Sequence, residues 1–430
     1  MSVRNDPPKG FICTISGQVM ENPVLHTRCG KLFDEKNLTR LSSCPRDSRL
    51  IVERDIVPFK ELKDEIEKWK VQSLNRSWAQ MAVRDPVPIA RTSPLIAKAR
   101  NVHEDDIHCL ARVSQNLFAS GSKDCTVKIW DHKAQFKKEL GSERAGRGYA
   151  SWITAIEVFK NGSWAYGRRD GQISIQNADH ERVHSFQYSP FNRNYQCKDR
   201  NKLRINCLRE NVNEDDEIQI YIGTATKVQL WSIDRQEVVK SYFVSKNDWV
   251  YDVQIIDSDH ILVVIGSNLE LWDTSFEPQD RTFIIKETPQ ERRQSQRPHI
   301  SSLAKLSPYN SVFTAALFDG TVRVVDVETR QQTRIYTEHR RQNVQVNRVW
   351  KVIELAPHVF ASSADDANVK LWDVRQDRSF KTLGGNLGRV SNLLKLSDES
   401  FVSASCPDNL RTSQEKASFS FWDLRMLLPS

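Results

Sequence analysis

The stretch LFASGSKDCTVKIWD, residues 117–131, decides the fold of most of this chain. It contains a segment of apolar and small residues, a polar turn, and a second apolar segment that ends in Trp-Asp. Its residues alternate between apolar and polar or run wholly apolar between turn-forming residues, which is typical of strands and not of helices. The stretch therefore predicts two β-strands joined by a polar turn.

The same pattern returns along the chain from about residue 94, at intervals of roughly 41 to 55 residues. Two copies are close to the first: VFTAALFDGTVRVVD at 312–326 and VFASSADDANVKLWD at 359–373. Four weaker copies lie at 164–177, 220–232, 261–273 and, in split form, 401–423. Seven copies of one strand-forming unit indicate a repeat array.

These segments resemble the WD-repeat family, whose units each form a four-stranded blade of a β-propeller. The resemblance implies a mainly β fold in which seven blades close into a ring over residues 94–430. The sequence ends seven residues after the last Trp-Asp, before a fourth strand of the last blade. We therefore expect residues 94–102, PLIAKARNV, to supply that strand and leave no exposed sheet edge.

The first copy carries a set of polar residues that WD repeats bury. His103, Asp124 and Trp130 match this set, together with either Ser120 or Ser122. The resemblance implies that these side chains hydrogen-bond to one another and have a structural role. The other copies keep only parts of the set, so irregular blades are expected.

A second motif precedes the repeats, in FICTISGQVMENPVLHTRCGKLFDEKNLTRLSSCPRDSRL, residues 11–50. On a cross-braced zinc motif of eight ligands, three positions hold Cys13, Cys29 and Cys44. The other five hold Ser16, Lys31, Asp34, Asn37 and Asp47. Three thiolates cannot complete two tetrahedral sites. We therefore expect no metal, and loops braced by ion pairs and hydrogen bonds among the five polar residues.

The segments MENPV (20–24), GKLFDE (30–35), CP (44–45) and VPFKELKDEIEKW (57–69) extend this pattern. Together they resemble the U-box, the metal-free relative of the RING domain, with Asn22, Phe33 and Phe59 replacing the usual Asp, Tyr and Asn. A zinc-binding RING is the alternative interpretation. The resemblance implies a small α+β domain.

The resemblance also implies a ubiquitin-protein ligase. U-boxes bind a conjugating enzyme that carries ubiquitin as a thioester, and they promote transfer to a substrate lysine without a covalent intermediate of their own. The positions that match the family's contacts to that enzyme are Ile15, Leu41 and Pro45. The alternative interpretation is that Ile15 and Leu41 are core residues and that Pro45 is a turn residue. Ser48 stands where many such ligases hold the thioester closed with a basic residue, and Arg49 is the candidate replacement.

Apolar residues recur at helical spacing from Phe59 to Met81, which predicts one amphipathic helix. Its first half is expected to pack on the U-box, and its second half offers a surface for homodimerisation. Asp85-Pro86-Val87-Pro88 then mark a linker. We therefore divide the chain into a tail (1–10), a U-box (11–70), a helix end and linker (71–93) and a propeller (94–430).

Composition limits the remaining functions. No run of eighteen apolar residues spans a membrane, and no secretory leader is recognised. Eight scattered cysteines suit reduced thiols in the cytoplasm or nucleus, or in a host cytosol if the chain is a bacterial effector. The net charge of +7 favours a solubilising surface over a nucleic-acid footprint. The basic segments 286–299 and 338–348 are solvated loops or docking sites for an acidic peptide.

No cofactor is expected, because the repeats contain no phosphate loop, metal cluster or activated nucleophile. We expect a stand-alone U-box ligase whose propeller selects a protein substrate. One alternative is a non-enzymatic scaffold, which the displaced basic residue favours and the retained Ile15 and Pro45 oppose. Another is a reduced form of the splicing-associated U-box/WD-repeat ligase, without its long coiled coil.

Overall fold

The computed structural model describes nine ranges of the larger region and short pieces between residues 11 and 66. The nine ranges are 93–140, 151–188, 203–212, 217–244, 249–275, 281–286, 297–339, 347–407 and 415–428. The chain separates into two compact units, Met1–Arg91 with Leu428–Ser430, and Thr92–Leu427. Within the described part, no helix is long and apolar enough to cross a membrane.

The smaller unit contains a three-stranded antiparallel sheet in the order β2-β1-β3. Its strands are β1 (Pro23–His26), β2 (Lys31–Asp34) and β3 (Ile56–Pro58). Six buried side chains form its core: Cys13, Met20, Val24, Phe33, Leu62 and Ile66. Leu62 and Ile66 have helical backbone, so the first half of the predicted helix packs on this unit. Its continuation to residue 81 and the linker at 85–88 lie outside the described residues.

The larger unit consists of seven four-stranded antiparallel sheets, which we call blades one to seven. The strand β4 (Leu95–His103) precedes blade one. Blade one contains β5 (Ile107–Arg112), β6 (Leu117–Ser122), β7 (Val127–Asp131) and β8 (Phe136–Leu140). Blade two contains β9 (Ile153–Val158), β10 (Trp164–Arg168), β11 (Gln172–Gln176) and β12 (Arg182–Gln187). Blade three contains β13 (Cys207–Val212), β14 (Ile218–Gly223), β15 (Lys227–Ser232) and β16 (Glu237–Phe243).

Blade four contains β17 (Val250–Ile255), β18 (His260–Ile265), β19 (Asn268–Asp273) and β20 (Arg281–Ile285). Blade five contains β21 (Ile300–Lys305), β22 (Val312–Leu317), β23 (Val322–Asp326) and β24 (Gln331–Tyr336). Blade six contains β25 (Val349–Ala356), β26 (Val359–Ala364), β27 (Val369–Asp373) and β28 (Ser379–Leu383). Blade seven contains β29 (Arg389–Ser397), β30 (Ser400–Cys406), β31 (Ala417–Asp423) and, as its outer strand, β4. A short 3-10 helix, Leu424–Met426, follows β31.

Each predicted sequence copy lies on the two middle strands of one blade. The stretch at 117–131 forms β6 and β7, which are almost wholly buried. Middle strands have neighbours on both edges, so most of their residues are apolar or small, with single polar residues such as Lys128 between them. The prediction of seven repeat units, each a four-stranded blade, is confirmed.

The ring closes through its first and last blades. The innermost strand of every blade contacts that of the next, and β29 of blade seven contacts β5 of blade one. At this junction Arg112 donates to the carbonyl of Leu396 at 2.9 Å, and Ser391 donates to the carbonyl of Ile107 at 2.8 Å. The strand β4 pairs antiparallel with β31, which confirms the closing strand predicted at 94–102.

Neighbouring blades approach closely where the second strand of a blade ends in glycine. A Cβ atom on Gly121 would lie 2.5 Å from Ile153 of blade two, and one on Gly167 would lie 2.5 Å from Ile205 beside blade three. Real Cβ atoms do not make contacts this short. Glycine at these positions therefore lets the next innermost strand pack against the blade.

Candidate functional site

Two predicted contact residues of the smaller unit lie at its surface. Ile15 is 38% exposed and Leu41 is 37% exposed, and neither belongs to the six-residue core. Exposed large apolar side chains are available to a partner in a way that core residues are not. The structure thus favours the surface position over the core position for both. Pro45 and Arg49 lie outside the described residues.

The predicted bracing positions are described only in part. Asp34 is buried at the end of β2, and its backbone N–H donates to Sγ of Cys13 at 3.3 Å. Two positions of the former ligand pattern are therefore neighbours. The backbone of Lys31 begins β2, while its side chain, with Ser16, Asn37 and Asp47, lies outside the described residues. Bracing by these side chains stays a prediction.

The polar set of blade one is buried and joined by hydrogen bonds. Nδ1 of His103 lies 2.8 Å from Asp124, and its Nε2 lies 2.7 Å from the hydroxyl of Ser120. The indole N–H of Trp130 donates to the same hydroxyl at 2.8 Å. Ser120, not Ser122, is thus the hydroxyl of the set. Burial opposes ionisation of Asp124, but the hydrogen bond and charge of His103 outweigh it and lower the pKa of Asp124 to about 2.

Blade six contains a second complete set, which the sequence analysis missed. Nδ1 of His339 lies 2.9 Å from Asp366, and its Nε2 lies 2.8 Å from Ser362. The indole N–H of Trp372 donates to Ser362 at 2.7 Å. The signal was present, because VFASSADDANVKLWD repeats the Ser, Asp and Trp spacing of blade one. His339 was missed because it lies in the basic segment 338–348, which the sequence analysis interpreted only as a loop or docking site. Each set joins one blade to the His of the segment that enters it, which is a structural role.

The innermost strands surround a central channel of about 720 Å³. Six cationic and three acidic side chains line it within the described residues: Arg112, Lys123, Arg204, Arg209, Lys351 and Arg389, and Asp106, Glu157 and Asp252. The lining therefore carries a net positive charge. This excess is concentrated in the channel and differs from the mild charge of the whole chain.

Midway along the innermost strands, one arginine joins three blades. Arg209 of blade three lies 3.2 Å from Glu157 of blade two and 2.7 Å from Asp252 of blade four. Asp252 also accepts the backbone N–H of Leu303 in blade five at 3.1 Å. Burial opposes the charge of Arg209, but both carboxylates raise its pKa above the ordinary value. We call Arg209, Glu157 and Asp252 the channel triad.

A ring of aromatic and cationic side chains surrounds one end of the channel. We call it the belt and define it as Lys123, Trp152, Arg204, Trp249, Tyr251, Phe318, Arg348, Trp350 and Arg389. Most of these residues lie just before, or at the start of, the innermost strand of their blade, and Lys123 and Phe318 directly follow a second strand. Since the innermost strands share one direction in the ring, these positions meet at the same end. All seven blades contribute.

Cations lie over the rings of the belt. Lys123 lies 4.8 Å from the ring centroid of Trp152, and Arg204 lies 5.6 Å from that of Trp249. Arg348 and Arg389 each lie 5.9 Å from the ring centroid of Trp350. A guanidinium held over a ring face keeps its in-plane N–H groups available for an acceptor. The belt therefore holds positive charge in fixed places.

The arginines of the belt differ in their partners. Burial opposes the charge of Arg389, but its hydrogen bond and ion pair with Asp106 raise its pKa. For Arg204, burial and the positive charge of Arg169 both lower the pKa. Burial, followed by the charge of Arg204, lowers the pKa of His108 to about 3, so this imidazole is neutral. Arg389 is thus neutralised within the fold, while Arg204 is not.

Comparisons with known proteins agree with this geometry. Residues 98–131 match the family model "WD domain, G-beta repeat". The fold resembles "Structure of U3-55K", with a TM-score of 0.58 and 13% identity over 75% of this chain and 98% of that one. It also resembles "Crystal structure of RRP9 WD40 repeats", with a TM-score of 0.58 and 14% identity over 75% and 96%. The larger unit is therefore a seven-bladed WD40-type β-propeller.

Two curated proteins of Arabidopsis thaliana are similar over short regions. The "E3 ubiquitin-protein ligase PUB22" is 27% identical over 117 residues, 25% of this chain and 26% of its own length. The "Protein SPA1-RELATED 3" is 36% identical over 89 residues, 20% of this chain and 10% of its own length. The chain thus spans about a quarter or less of these relatives. No U-box model matches residues 11–70.

Proposed function

We propose that the chain is a ubiquitin-protein ligase of the U-box type that uses its propeller to select a protein substrate. In this function the smaller unit binds a conjugating enzyme charged with ubiquitin. Ile15, Leu41 and Pro45 form the apolar contact to that enzyme. The propeller holds the substrate so that a lysine reaches the thioester.

The proposal rests on the exposure of Ile15 and Leu41, which do not belong to the buried core of the smaller unit. A small domain gains stability by burying large aliphatic side chains, so two of them left at the surface favour a binding role. Both are also positions at which the U-box pattern contacts its enzyme. The partial similarity to a plant protein named as a ubiquitin ligase supports the same function.

The proposed chemistry needs no nucleophile in this chain. The substrate amine attacks the thioester carbonyl, an isopeptide bond forms, and the C–S bond breaks to release the thiolate of the conjugating enzyme. The ligase contributes proximity and orientation, which can lower such a barrier by several kcal/mol. Arg49 is proposed to hold the thioester-linked ubiquitin in the conformation that the amine attacks.

The binding step can be tested by titrating the full chain with a panel of conjugating enzymes. In Ile15→Ala and Leu41→Ala, affinity should fall by about ten- to a hundredfold, because a few apolar contacts carry most of the energy of a small interface. Val57→Ala is the matched control, since Val57 is 46% exposed on β3 of the same unit. An equal loss in all three variants would contradict the assigned contact.

The role of Arg49 has a separate test. Arg49→Ala should slow discharge of ubiquitin from a bound conjugating enzyme onto free lysine, without weakening binding of the uncharged enzyme. Arg49→Lys, which keeps the positive charge, should restore part of the rate. Weaker binding at an unchanged discharge rate would place Arg49 in the contact instead.

A non-enzymatic scaffold is the second candidate function. It is favoured by Ser48 at the usual basic position and by the family match, which covers a WD repeat alone. In this function the propeller binds a protein partner as proposed above, but the smaller unit engages no conjugating enzyme. The titration distinguishes the two functions, because a scaffold binds no member of the panel.

A further inference from the structure

We propose that the belt binds an extended acidic peptide segment, with Arg204 and Arg348 each contacting one acidic side chain. The row of rings between them would contact the intervening apolar residues. The inference names the chemical class of the partner that the propeller selects, and so it deepens the proposed function. It does not depend on ubiquitin transfer, since a scaffold would use the same surface.

The geometry supplies a continuous row of rings from Trp249 to Trp350, with the guanidinium of Arg204 beside its first ring and that of Arg348 beside its last two. Arg204 lies 5.6 Å from the ring of Trp249, whose centroid is 6.4 Å from that of Tyr251. Tyr251 in turn lies 6.3 Å from Phe318, and Arg348 lies 5.3 Å from the ring of Phe318. An apolar strip between two fixed cations suits a segment in which apolar residues lie between two acids.

Within the described residues, these two guanidiniums have no counterion. Neither Arg204 nor Arg348 forms an ion pair there through its side chain. Nε of Arg204 is buried without a hydrogen-bond partner among the same residues. A buried donor without a partner is destabilising, and more so when it is charged. Binding of a carboxylate would remove that cost, so the site favours an anionic ligand.

Other cations on the same face already have counterions, so cations with and without a counterion can be compared within one molecule. Arg389 pairs with Asp106, and Lys123 lies 3.6 Å from Asp105. If the positive charges served only solubility, no relation would be expected between their ion pairing and their position. The cations without a counterion among the described residues instead lie beside the first ring and the last two rings of the row. The arrangement therefore favours a ligand with two separated negative charges.

A peptide fits this surface better than a nucleic acid does. Base stacking needs open ring faces, but the rings of Trp249 and Trp350 already have guanidiniums over them. Asp365, whose carboxylate accepts the indole N–H of Trp350 at 2.6 Å, adds negative charge that would repel the closely spaced charges of a phosphate backbone. Isolated carboxylates on a peptide can avoid this residue.

Fluorescence anisotropy with the full chain tests the proposal. The probe is a fluorescein-labelled short peptide of alternating glutamate and leucine. Matched peptides carry glutamine or lysine in place of glutamate, and single-stranded oligouridylate represents nucleic acid. The variants are Arg204→Gln, Arg348→Gln and the double substitution. Arg378→Gln is the matched control, because Arg378 is exposed before β28, at a position outside the belt.

We expect the glutamate peptide to bind and the glutamine and lysine peptides to bind at least tenfold more weakly. Each arginine substitution should lower the affinity for the glutamate peptide by about tenfold or more, since a hydrogen bond to a charged group contributes about 1.5–3 kcal/mol. Arg378→Gln should bind as the wild type does, and equal melting temperatures should show that the variants fold.

Three results would overturn the proposal. They are no binding of the glutamate peptide, equal binding by the belt variants and the control, and tighter binding of oligouridylate than of the peptide. None of these concerns the conjugating enzyme. A failed peptide test with intact enzyme binding therefore rejects the belt, and the reverse pattern rejects the ligase.

Discussion

Blades one and six differ from blades two to four in how they bury polar groups. In blades one and six, an Asp, a Ser and a Trp of the blade are joined by hydrogen bonds to a His of the segment that leads into it, His103 at the end of β4 and His339 after β24. Blade three has no such described set, and Arg209 instead forms ion pairs with the blades on either side. One ring therefore uses two kinds of polar bracing: hydrogen-bonded sets that fix a blade to the segment entering it, and ion pairs between innermost strands.

The difference bears on what each contact stabilises. A hydrogen-bonded set of this kind fixes the turn of one blade and the segment that enters it, so its loss should be local. The channel triad joins blades that lie consecutively in the ring, so its loss should loosen their packing. A buried ion pair is costly to break on one side because the remaining charge keeps its desolvation penalty.

The largest expected effect follows from breaking the channel triad. Arg209→Ala removes the cation that forms ion pairs with both Glu157 and Asp252, and should lower the free energy of unfolding by about 3–5 kcal/mol. Urea denaturation followed by tryptophan fluorescence measures this. Arg334→Ala is a suitable control, because its ion pair with Asp377 is exposed. A loss in Arg209→Ala no larger than that of the control would show that the triad does not brace the ring.

The next effect compares hydroxyls by the partners that they bond. Ser120 and Ser362 each bond a buried His and a Trp, and their substitution by Ala should cost about 2 kcal/mol. In blade seven, Ser403 accepts the indole N–H of Trp422 at 2.9 Å, and its other bond, donated to Asn386, is longer at 3.3 Å. Ser403→Ala should therefore cost less, about 1 kcal/mol. Chemical denaturation of the three variants gives the ranking, and equal losses would contradict the added contribution of the His.

The smallest expected effect is a pH dependence of blade one. The pKa of Asp124 in the folded state, about 2, is below its ordinary value of 3.8. Its ionised form therefore contributes stability that is present above pH 3.8 and is lost as the pH falls towards 2, on the order of 2 kcal/mol. Asp124→Asn removes this contribution. Between pH 5 and pH 2, unfolding measurements should show a smaller loss in the variant than in the wild type, and parallel curves would be the contrary result.

The sequence predicted the features that repeat within one blade. Seven copies, their strand character and the closing strand β4 all follow from a local pattern of apolar residues and turns. The choice between Ser120 and Ser122 could not be made, because both hydroxyls lie close to the turn and only the orientation of β6 separates them. The second polar set, at His339, was visible in principle because its copy repeats the spacing of the first.

The features between blades could not be predicted in the same way. Arg209 lies 52 residues from Glu157 and 43 residues from Asp252. The belt takes one or two residues from each blade, so no segment of the chain contains its pattern. These contacts exist only once the ring has closed. A useful signal for other propellers is the residue just before each innermost strand, since Trp152, Trp249 and Arg348 all occupy it here.

The central claim concerns ubiquitin transfer, and one reaction tests it most directly. The full chain is incubated with activating enzyme, a broad panel of conjugating enzymes, ubiquitin and ATP, and ubiquitin attached to the chain itself is measured. We predict chain formation with at least one conjugating enzyme, reduced by about ten- to a hundredfold in Ile15→Ala and Pro45→Ala and unchanged in Val57→Ala. No product with any member of the panel, or wild-type rates in Ile15→Ala and Pro45→Ala, would contradict a ligase of the U-box type.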